Sequence, residues 1–210
     1  MKIGVIGGNG KIGKMISREA KRRGHEVTVF VRTESSSQPD YTVVIKDLFD
    51  IKYEDVKEYD AIVNAFGVWK SEDVSQFTDA NKHLSDILSG TETRLLVVGS
   101  AGSLYVDDEH SMMFMNTPEM PSFAMAVATE QEKALRHLET RKDVLWTYIS
   151  PPVDFRVDGE CIGVYQTAGD KLTFSSAGES QLSYADGAIA IVDEAENAKH
   201  VQKRFSIVAL

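Results

Sequence analysis

The sequence predicts an α/β protein built on a doubly wound parallel sheet. Apolar runs of strand length alternate with amphipathic segments of helix length, which is the pattern of repeated β-α-β units. Several runs are almost continuous Val, Ile and Leu, as expected for parallel strands covered on both faces. Right-handed crossovers between such strands place helices on both sides of the sheet. The predicted strands are residues 3–6, 27–31, 42–45, 61–65, 95–98 and 144–149.

The helices are predicted from apolar residues that recur at helical spacing. In the first helix these residues are Ile12, Met15, Ile16 and Ala20. The later predicted elements are helices near 72–88 and 123–138, short extended pieces at 163–167 and 172–174, a helix near 184–195 and a last strand at 205–209. We therefore expect a single domain over residues 1–210, in which 151–210 form a small C-terminal lobe against the sheet.

Charge and composition exclude several classes of function. The chain carries 23 basic and 32 acidic side chains, a net charge of −9, so a general nucleic-acid-binding surface is not expected. Residues 1–33 are nevertheless net basic, which fits either one anionic ligand near the N-terminus or a solvated helix face. The one cysteine excludes an intrachain disulfide, and the histidines have no metal-ligand spacing. Without a membrane-length apolar run or a signal peptide, a cytoplasmic location is expected.

A glycine-rich loop follows the first strand and opens the first helix. Residues 7–13 read Gly-Gly-Asn-Gly-Lys-Ile-Gly, which fits G-x-x-G-x-x-G and G-x-G-x-x-G alike. Small residues allow a tight turn there, and the helix amides then point at a dinucleotide pyrophosphate. The last glycine lets the helix lie close to the strand. The residues expected to contact a cofactor here are Gly7, Asn9, Gly10, Lys11, Ile12 and Gly13.

The end of the second strand bears on which cofactor is bound. An acid at this position binds a ribose 2′-hydroxyl, but here the strand ends in Arg32, whose guanidinium suits a 2′-phosphate. This favours NADP(H) over NAD(H). Glu34, two residues further on, is the competing detail, because its carboxylate could reach a ribose.

Two further segments of small residues end predicted strands. The carboxyl ends of strands in an open α/β sheet face the ligand crevice, so both segments could line a cofactor, although ordinary turns explain each as well. The residues concerned are Asn64, Ala65, Phe66 and Gly67 after the fourth strand, and Ser100, Ala101 and Gly102 after the fifth.

Together with the glycine loop, residues 46–50, 98–104, 146–152 and 183–188 resemble the NADH-flavin reductase group of atypical short-chain dehydrogenases, relatives of the NmrA-like and biliverdin reductase B proteins. The resemblance covers essentially the whole chain. It implies a Rossmann-type fold, NAD(P) binding and a C-terminal substrate lobe. By the same resemblance, Asp47 and Leu48 lie at the adenine, residues 64–67 lie along the pyrophosphate and nicotinamide ribose, and Ser150, Pro151 and Pro152 border the nicotinamide.

The chain departs from the wider dehydrogenase family at the catalytic Tyr-x-x-x-Lys. Ser100 matches the family serine, but residues 125–130, where Tyr and Lys would lie, contain neither. Hydride transfer to a flavin or quinone needs no such acid, so we expect an NADPH-dependent reductase of a planar acceptor, with flavin as a substrate. The alternatives are a redox-inactive NmrA-like NADP(H) sensor that regulates a partner protein and, less favoured, an epimerase-like enzyme.

The segment from 102 to 122 is long for a connection within a compact domain. It is interpreted either as a lid over the nicotinamide or as packing against the C-terminal lobe. His110 in this segment could donate a proton to the acceptor, although an exposed loop histidine is the simpler interpretation.

Overall fold

The computed structural model describes residues 1–33, 41–68 and 71–210. Glu34 and the serine-rich stretch 35–37 lie outside the described residues. The strands are β1 (Lys2–Ile6), β2 (Glu26–Val31), β3 (Thr42–Ile45), β4 (Ala61–Asn64), β5 (Arg94–Val98), β6 (Trp146–Ser150), β7 (Asp154–Arg156), β8 (Gln166–Ala168), β9 (Gln181–Ser183) and β10 (Lys203–Val208). The α-helices are α1 (Lys11–Arg22), α2 (Tyr53–Val56), α3 (Gln76–Ile87), α4 (Met125–Thr140) and α5 (Tyr184–Asn197).

The central sheet has the strand order β3-β2-β1-β4-β5-β6-β10-β8. Every neighbouring pair is parallel except β10 and β8, which run antiparallel at one edge. The order reverses between β1 and β4, which creates the crevice where open sheets of this kind bind ligands. The prediction of a Rossmann-type doubly wound sheet is confirmed.

Two apolar cores cover the faces of the sheet. On one face α1 and α5 pack against alternate strand residues such as Val5 and Leu96. On the other face α3 and α4 pack against the intervening residues, among them Ile62 and Leu95. This double burial explains why the central strands read as continuous apolar runs rather than as alternating ones. Within the part of the chain that the structure describes, no helix is both long and apolar enough to cross a membrane.

The C-terminal segment is organised differently from the prediction. Its last strand, β10, joins the central sheet beside β6, and the short β8 pairs with β10. The strands β7 and β9 form a separate two-stranded sheet next to the cleft described below. The extended piece expected at 163–167 is displaced to β8, and the one expected at 172–174 is not a strand. There, the Leu172 amide donates to the Tyr105 carbonyl at 2.8 Å.

Part of the basic N-terminal segment is used in joining helices. Arg22, the last residue of α1, and Arg23, its C-cap, both pair with Glu19, and Arg23 also reaches Asp193 and Glu196 of α5. The hydrogen bond from Arg22 is the largest cause that lowers the pKa of Glu19 to about 2. Arg23 therefore links the carboxyl end of α1 to α5, and both arginines are held by carboxylates away from the cleft described below.

Candidate functional site

A cleft of about 930 Å³ opens at the carboxyl ends of the parallel strands. Residues that follow β1, β2, β3, β4, β5 and β6 all line it, so the predicted strand-end segments come together at one edge of the sheet. The predicted site residues that line it are Gly7, Asn9, Gly10, Lys11, Ile12, Arg32, Asp47, Leu48, Ala65, Phe66, Gly67, Ser100, Ala101, Gly102, Pro151 and Pro152. The volume is near the upper end of the roughly 300–1,000 Å³ typical of ligand sites.

The glycine loop is packed so closely that side chains cannot replace its hydrogens. Gly7 has a φ of +77°, and a Cβ there would lie 2.7 Å from the Ala65 carbonyl oxygen. A Cβ on Gly13 would lie 2.4 Å from the Gly7 carbonyl oxygen. The Asn9 side-chain amide donates to the Thr33 carbonyl at 2.8 Å, which ties the loop to the end of β2. The loop is therefore a backbone surface against which a ligand can lie closely.

The amino end of α1 faces this loop with its amides available. Gly10 is the N-cap and offers no side-chain cap, and the first turn contains no acidic residue. The first bond of the helix ladder runs from the Lys14 amide to the Gly10 carbonyl at 3.0 Å. Amides of the first turn have no partner within the helix, and the helix dipole favours an anion there.

The cations at this end of the cleft differ in their availability. Lys46 lines the cleft but is bound at 2.7 Å to Asp55, and this hydrogen bond is the largest cause that lowers the pKa of the Asp55 carboxyl. Lys11 and Arg32 are exposed, and neither forms an ion pair with a carboxylate in the described ranges. Asp47 lies beside them and accepts from the Phe49 amide at 3.0 Å. Two cations without a carboxylate partner among the described residues thus line this part of the cleft.

Three predicted cofactor residues lie behind the cleft wall. Gly13 acts through its close packing on Gly7. The side chain of Asn64 is buried, where its Oδ1 accepts from the Phe66 amide at 3.1 Å and shapes the turn after β4. Ser150 is fully buried at the end of β6. Asn64 and Ser150 are both buried and are not among the described residues that line the cleft.

The turn after β5 brings backbone against a buried aromatic ring. A Cβ on Gly99 would lie 2.1 Å from Cε1 of Tyr148, a residue that is fully buried on β6. Next to it Ser100 lines the cleft, and its Oγ is buried without a hydrogen-bond partner in the described part of the chain. A buried hydroxyl without a partner is costly, so it is suited to a contact with a bound ligand.

Beyond Ser100 the cleft becomes apolar and aromatic. The residues that line this part, which we call the acceptor end, are Phe114, Met120, Pro121, Phe123, Ala124, Val127, Ala128, Gln131, Val153, Phe155, Val157 and Tyr184. The rings of Phe155 and Tyr184 are in contact, with centroids 4.2 Å apart. Tyr184 is the one ionisable side chain among these described residues, and burial raises its pKa. The acceptor end therefore offers no described side chain that changes charge near neutral pH.

His110 lies away from this cleft. It is exposed, has a φ of +53°, and its ring stacks on that of Tyr105 with centroids 4.7 Å apart. It is not among the described residues that line the cleft, so the structure does not bring it together with the other predicted site residues. By contrast, Gln131, Phe155 and Tyr184 were not predicted as site residues. Gln131 and Phe155 belong to no motif, and the resemblance of segment 183–188 implied no ligand contact for Tyr184.

Comparison with known proteins identifies the family. The model of a family described as NAD(P)H-binding matches residues 7–197. The uncharacterized protein YwnB of Bacillus subtilis (strain 168) is 41% identical over 210 residues, which cover 100% of this chain and 99% of YwnB.

Solved structures agree with this. A protein of Streptococcus pneumoniae TIGR4 described as "a putative NADH-flavin reductase" is 41% identical, with a TM-score of 0.96 over 100% of both chains. A "putative epimerase" of Bacteroides thetaiotaomicron is 30% identical, with a TM-score of 0.84 over 100% of this chain and 97% of that one. Together with the glycine loop and the cleft at the strand ends, these matches show that the chain belongs to the NAD(P)H-binding family.

Proposed function

We propose that the protein is an NAD(P)H-dependent oxidoreductase that transfers a hydride directly to a planar acceptor, a flavin or a quinone. The observation that carries the proposal is the acceptor end, an apolar and aromatic space that continues the cleft beyond the strand ends. Flat rings and a thioether, from Phe114, Met120 and Phe155, suit a flat, uncharged ring system. The lobe after β6 contributes Phe155 and Tyr184 to this space, which supports its role as a substrate lobe.

The residues present fit a dinucleotide. The glycine loop and the amides of α1 would hold the pyrophosphate, since a Cβ at Gly7 or Gly13 would fill the space that the backbone leaves. Asp47 and Leu48 would border the adenine, and Ala65–Gly67 with Pro151 and Pro152 would border the nicotinamide. When bound, the reduced nicotinamide supplies the hydride.

The lack of an ionisable group at the acceptor end agrees with this chemistry. Reduction of a ketone or aldehyde to an alcohol requires a proton donor. A flavin or quinone is already electrophilic and can take its proton from water. Val127 and Ala128 occupy the part of α4 where a Tyr-Lys pair would be needed. The residues here supply position and exclude water, and Ser100 can contact the bound ring.

We further propose that NADP(H) is preferred over NAD(H). Arg32 and Lys11 are exposed cations at the adenine end of the cleft without ion-pair partners among the described residues. A guanidinium at the end of β2 is suited to bind the 2′-phosphate, which NAD(H) lacks.

The experiment that tests the proposal is NADPH consumption at 340 nm with riboflavin, FMN and menadione as acceptors. Saturable turnover that requires both NADPH and an acceptor is expected. Tight NADPH binding without turnover of any acceptor would contradict the proposal and favour an NADP(H) sensor. A matched variant, Gly13→Ala, is expected to lose turnover together with NADPH affinity, because it displaces α1 from the loop.

A further inference from the structure

We propose that Gln131 is a catalytic residue that donates a hydrogen bond from its side-chain Nε2 to a carbonyl oxygen of the acceptor, and that Tyr148 positions it. The proposal rests on the proposed function and adds the group that recognises the acceptor. It assigns a role to a buried polar pair that cofactor binding does not use.

Gln131 is a buried polar side chain on the cleft wall. It lies on α4, is only 5% exposed and lines the cleft among apolar neighbours such as Val127 and Ala128. Polar side chains with this degree of burial are normally fully hydrogen-bonded. A glutamine carboxamide has one acceptor oxygen and one donor NH₂ group, and each needs a partner when it is buried.

The oxygen of the carboxamide has its partner. The Tyr148 hydroxyl donates to Gln131 Oε1 at 2.9 Å and lies 3.1 Å from the Gln131 backbone carbonyl. Tyr148 is itself fully buried, and burial raises its pKa, so it remains a protonated donor at neutral pH. The phenol has one hydrogen, and with that hydrogen donated to the nearer acceptor, Oε1, the carboxamide is oriented with Oε1 towards Tyr148 and Nε2 away from it.

The NH₂ group is left for a ligand. In the described part of the chain Nε2 of Gln131 has no hydrogen-bond acceptor, although the side chain lines the cleft. Nε2 is not among the described polar atoms that are buried without a partner, so it reaches the space of the cleft, where water can hydrate it when no ligand is bound. A carbonyl oxygen that enters the cleft at this point can take the place of that water and accept from Nε2.

This donor lies next to the predicted reaction centre. A Cβ on Gly99 would lie 2.5 Å from the Tyr148 hydroxyl, so the end of β5, the phenol and the Gln131 carboxamide form one cluster. Ser100, with its unpartnered Oγ, is the next residue of the chain. The cluster thus provides two uncharged hydrogen-bonding groups where the aromatic acceptor end begins.

An uncharged donor suits the proposed reaction. The C4–H bond of the reduced nicotinamide breaks and both of its electrons pass with the hydrogen to the acceptor, which leaves an oxidised nicotinamide and an acceptor anion that takes a proton from water. The negative charge of that anion develops largely on the carbonyl oxygens of a flavin or quinone. A fixed donor at such an oxygen stabilises the transition state more than the ground state.

The test compares Gln131→Met, which keeps the length of the side chain and removes the donor, with the unchanged protein. For riboflavin and menadione, kcat should fall by about 30-fold, somewhat less than the loss of a full oxyanion donor. For methylene blue, a planar acceptor without a carbonyl oxygen, kcat should change by less than about 3-fold. Tyr148→Phe should cause a smaller loss with the same acceptor dependence, because it frees the carboxamide without removing it.

A binding measurement provides a readout that does not depend on turnover. The Kd of oxidised riboflavin, measured by fluorescence in the presence of NADP⁺, should rise about 5-fold in Gln131→Met, while the Kd of NADPH stays within about 2-fold. Gln202→Met is the matched control, since Gln202 bonds to the Lys142 and Val144 carbonyls at the opposite end of the sheet.

The outcomes separate this proposal from the proposed function. If the unchanged protein reduces no acceptor and binds no riboflavin, the proposed function and this inference both fail. If it reduces riboflavin and menadione, but Gln131→Met lowers kcat equally for riboflavin, menadione and methylene blue, or for none of them, the inference alone is overturned. If the protein binds riboflavin without reducing it, an unchanged Kd of riboflavin in Gln131→Met overturns the proposed hydrogen bond from Gln131 to the acceptor.

Discussion

Replacing Gly13 with alanine tests whether the close approach of α1 to the glycine loop is needed for cofactor binding. The added Cβ would lie 2.4 Å from the Gly7 carbonyl oxygen and 3.0 Å from the Gly7 carbonyl carbon. Carbon–oxygen contacts are normally about 3.3 Å or longer, so the amino end of α1 must retreat by roughly 0.9 Å. Both contacting atoms are backbone, which cannot rotate away as a side chain could.

The magnitude follows from two opposed terms. Overpacking of this kind costs about 1–3 kcal/mol. The higher helix propensity of alanine offsets about 1 kcal/mol of this. The net loss of about 0–2 kcal/mol lowers the Tm of a domain of this size by up to about 8 °C. The same displacement moves the amides of α1 away from the pyrophosphate, so the Kd for NADPH should rise by about 10-fold or more.

Thermal unfolding followed by circular dichroism and NADPH titration by calorimetry measure the two effects. Gly169→Ala is the matched control, since a Cβ there would meet no heavy atom within 4 Å and its φ is not in the left-handed region. A Gly13→Ala protein with the Tm and NADPH affinity of the unchanged protein would refute the argument from close packing.

Three other substitutions have expected outcomes. Arg32→Ala should weaken NADPH binding by about 10-fold and NADH binding much less; equal losses in calorimetry would contradict the 2′-phosphate contact. Glu19→Gln should destabilise the protein at pH 7. Because the folded pKa of Glu19 is lowered to about 2 from 4.5, its contribution is present above pH 4.5 and is lost as the pH falls towards 2, so urea unfolding should show the difference vanish there. Arg94→Met leaves the buried carboxylate of Glu194, 2.7 Å away, without its guanidinium and with His200 as its remaining charged partner, and should cost about 3–5 kcal/mol in urea unfolding; a loss below about 1 kcal/mol would contradict a structural need for the guanidinium.

The sequence was sufficient for the central sheet, and the reason is physical. Strands such as β1 and β5 are buried on both faces, so they appear as apolar runs whatever the details of packing. The glycine loop could be predicted for a similar reason, because Gly7 and Gly13 occupy positions where any side chain would collide with backbone.

The C-terminal segment and the acceptor end could not be predicted in the same way. Strands of three residues, such as β7 and β8, are too short to show a period of two. Asn64 lies at the carboxyl end of a strand, as expected for a residue near the cleft, but this position does not determine whether its side chain points into the cleft or is buried. Gln131 and Tyr148 become a pair only when α4 packs on β6, a contact that no spacing along the chain encodes.

The central claim is that a hydride passes directly from the nicotinamide to the acceptor ring within this cleft. The fate of the transferred hydrogen tests it most directly, with NADPH deuterated at C4 and 5-deazariboflavin as the acceptor, because carbon C5 of the reduced deazaflavin retains the hydrogen it receives. The account predicts deuterium at C5 of the product by mass spectrometry. Deuterium released to water, or no reduction at saturating NADPH, would contradict it.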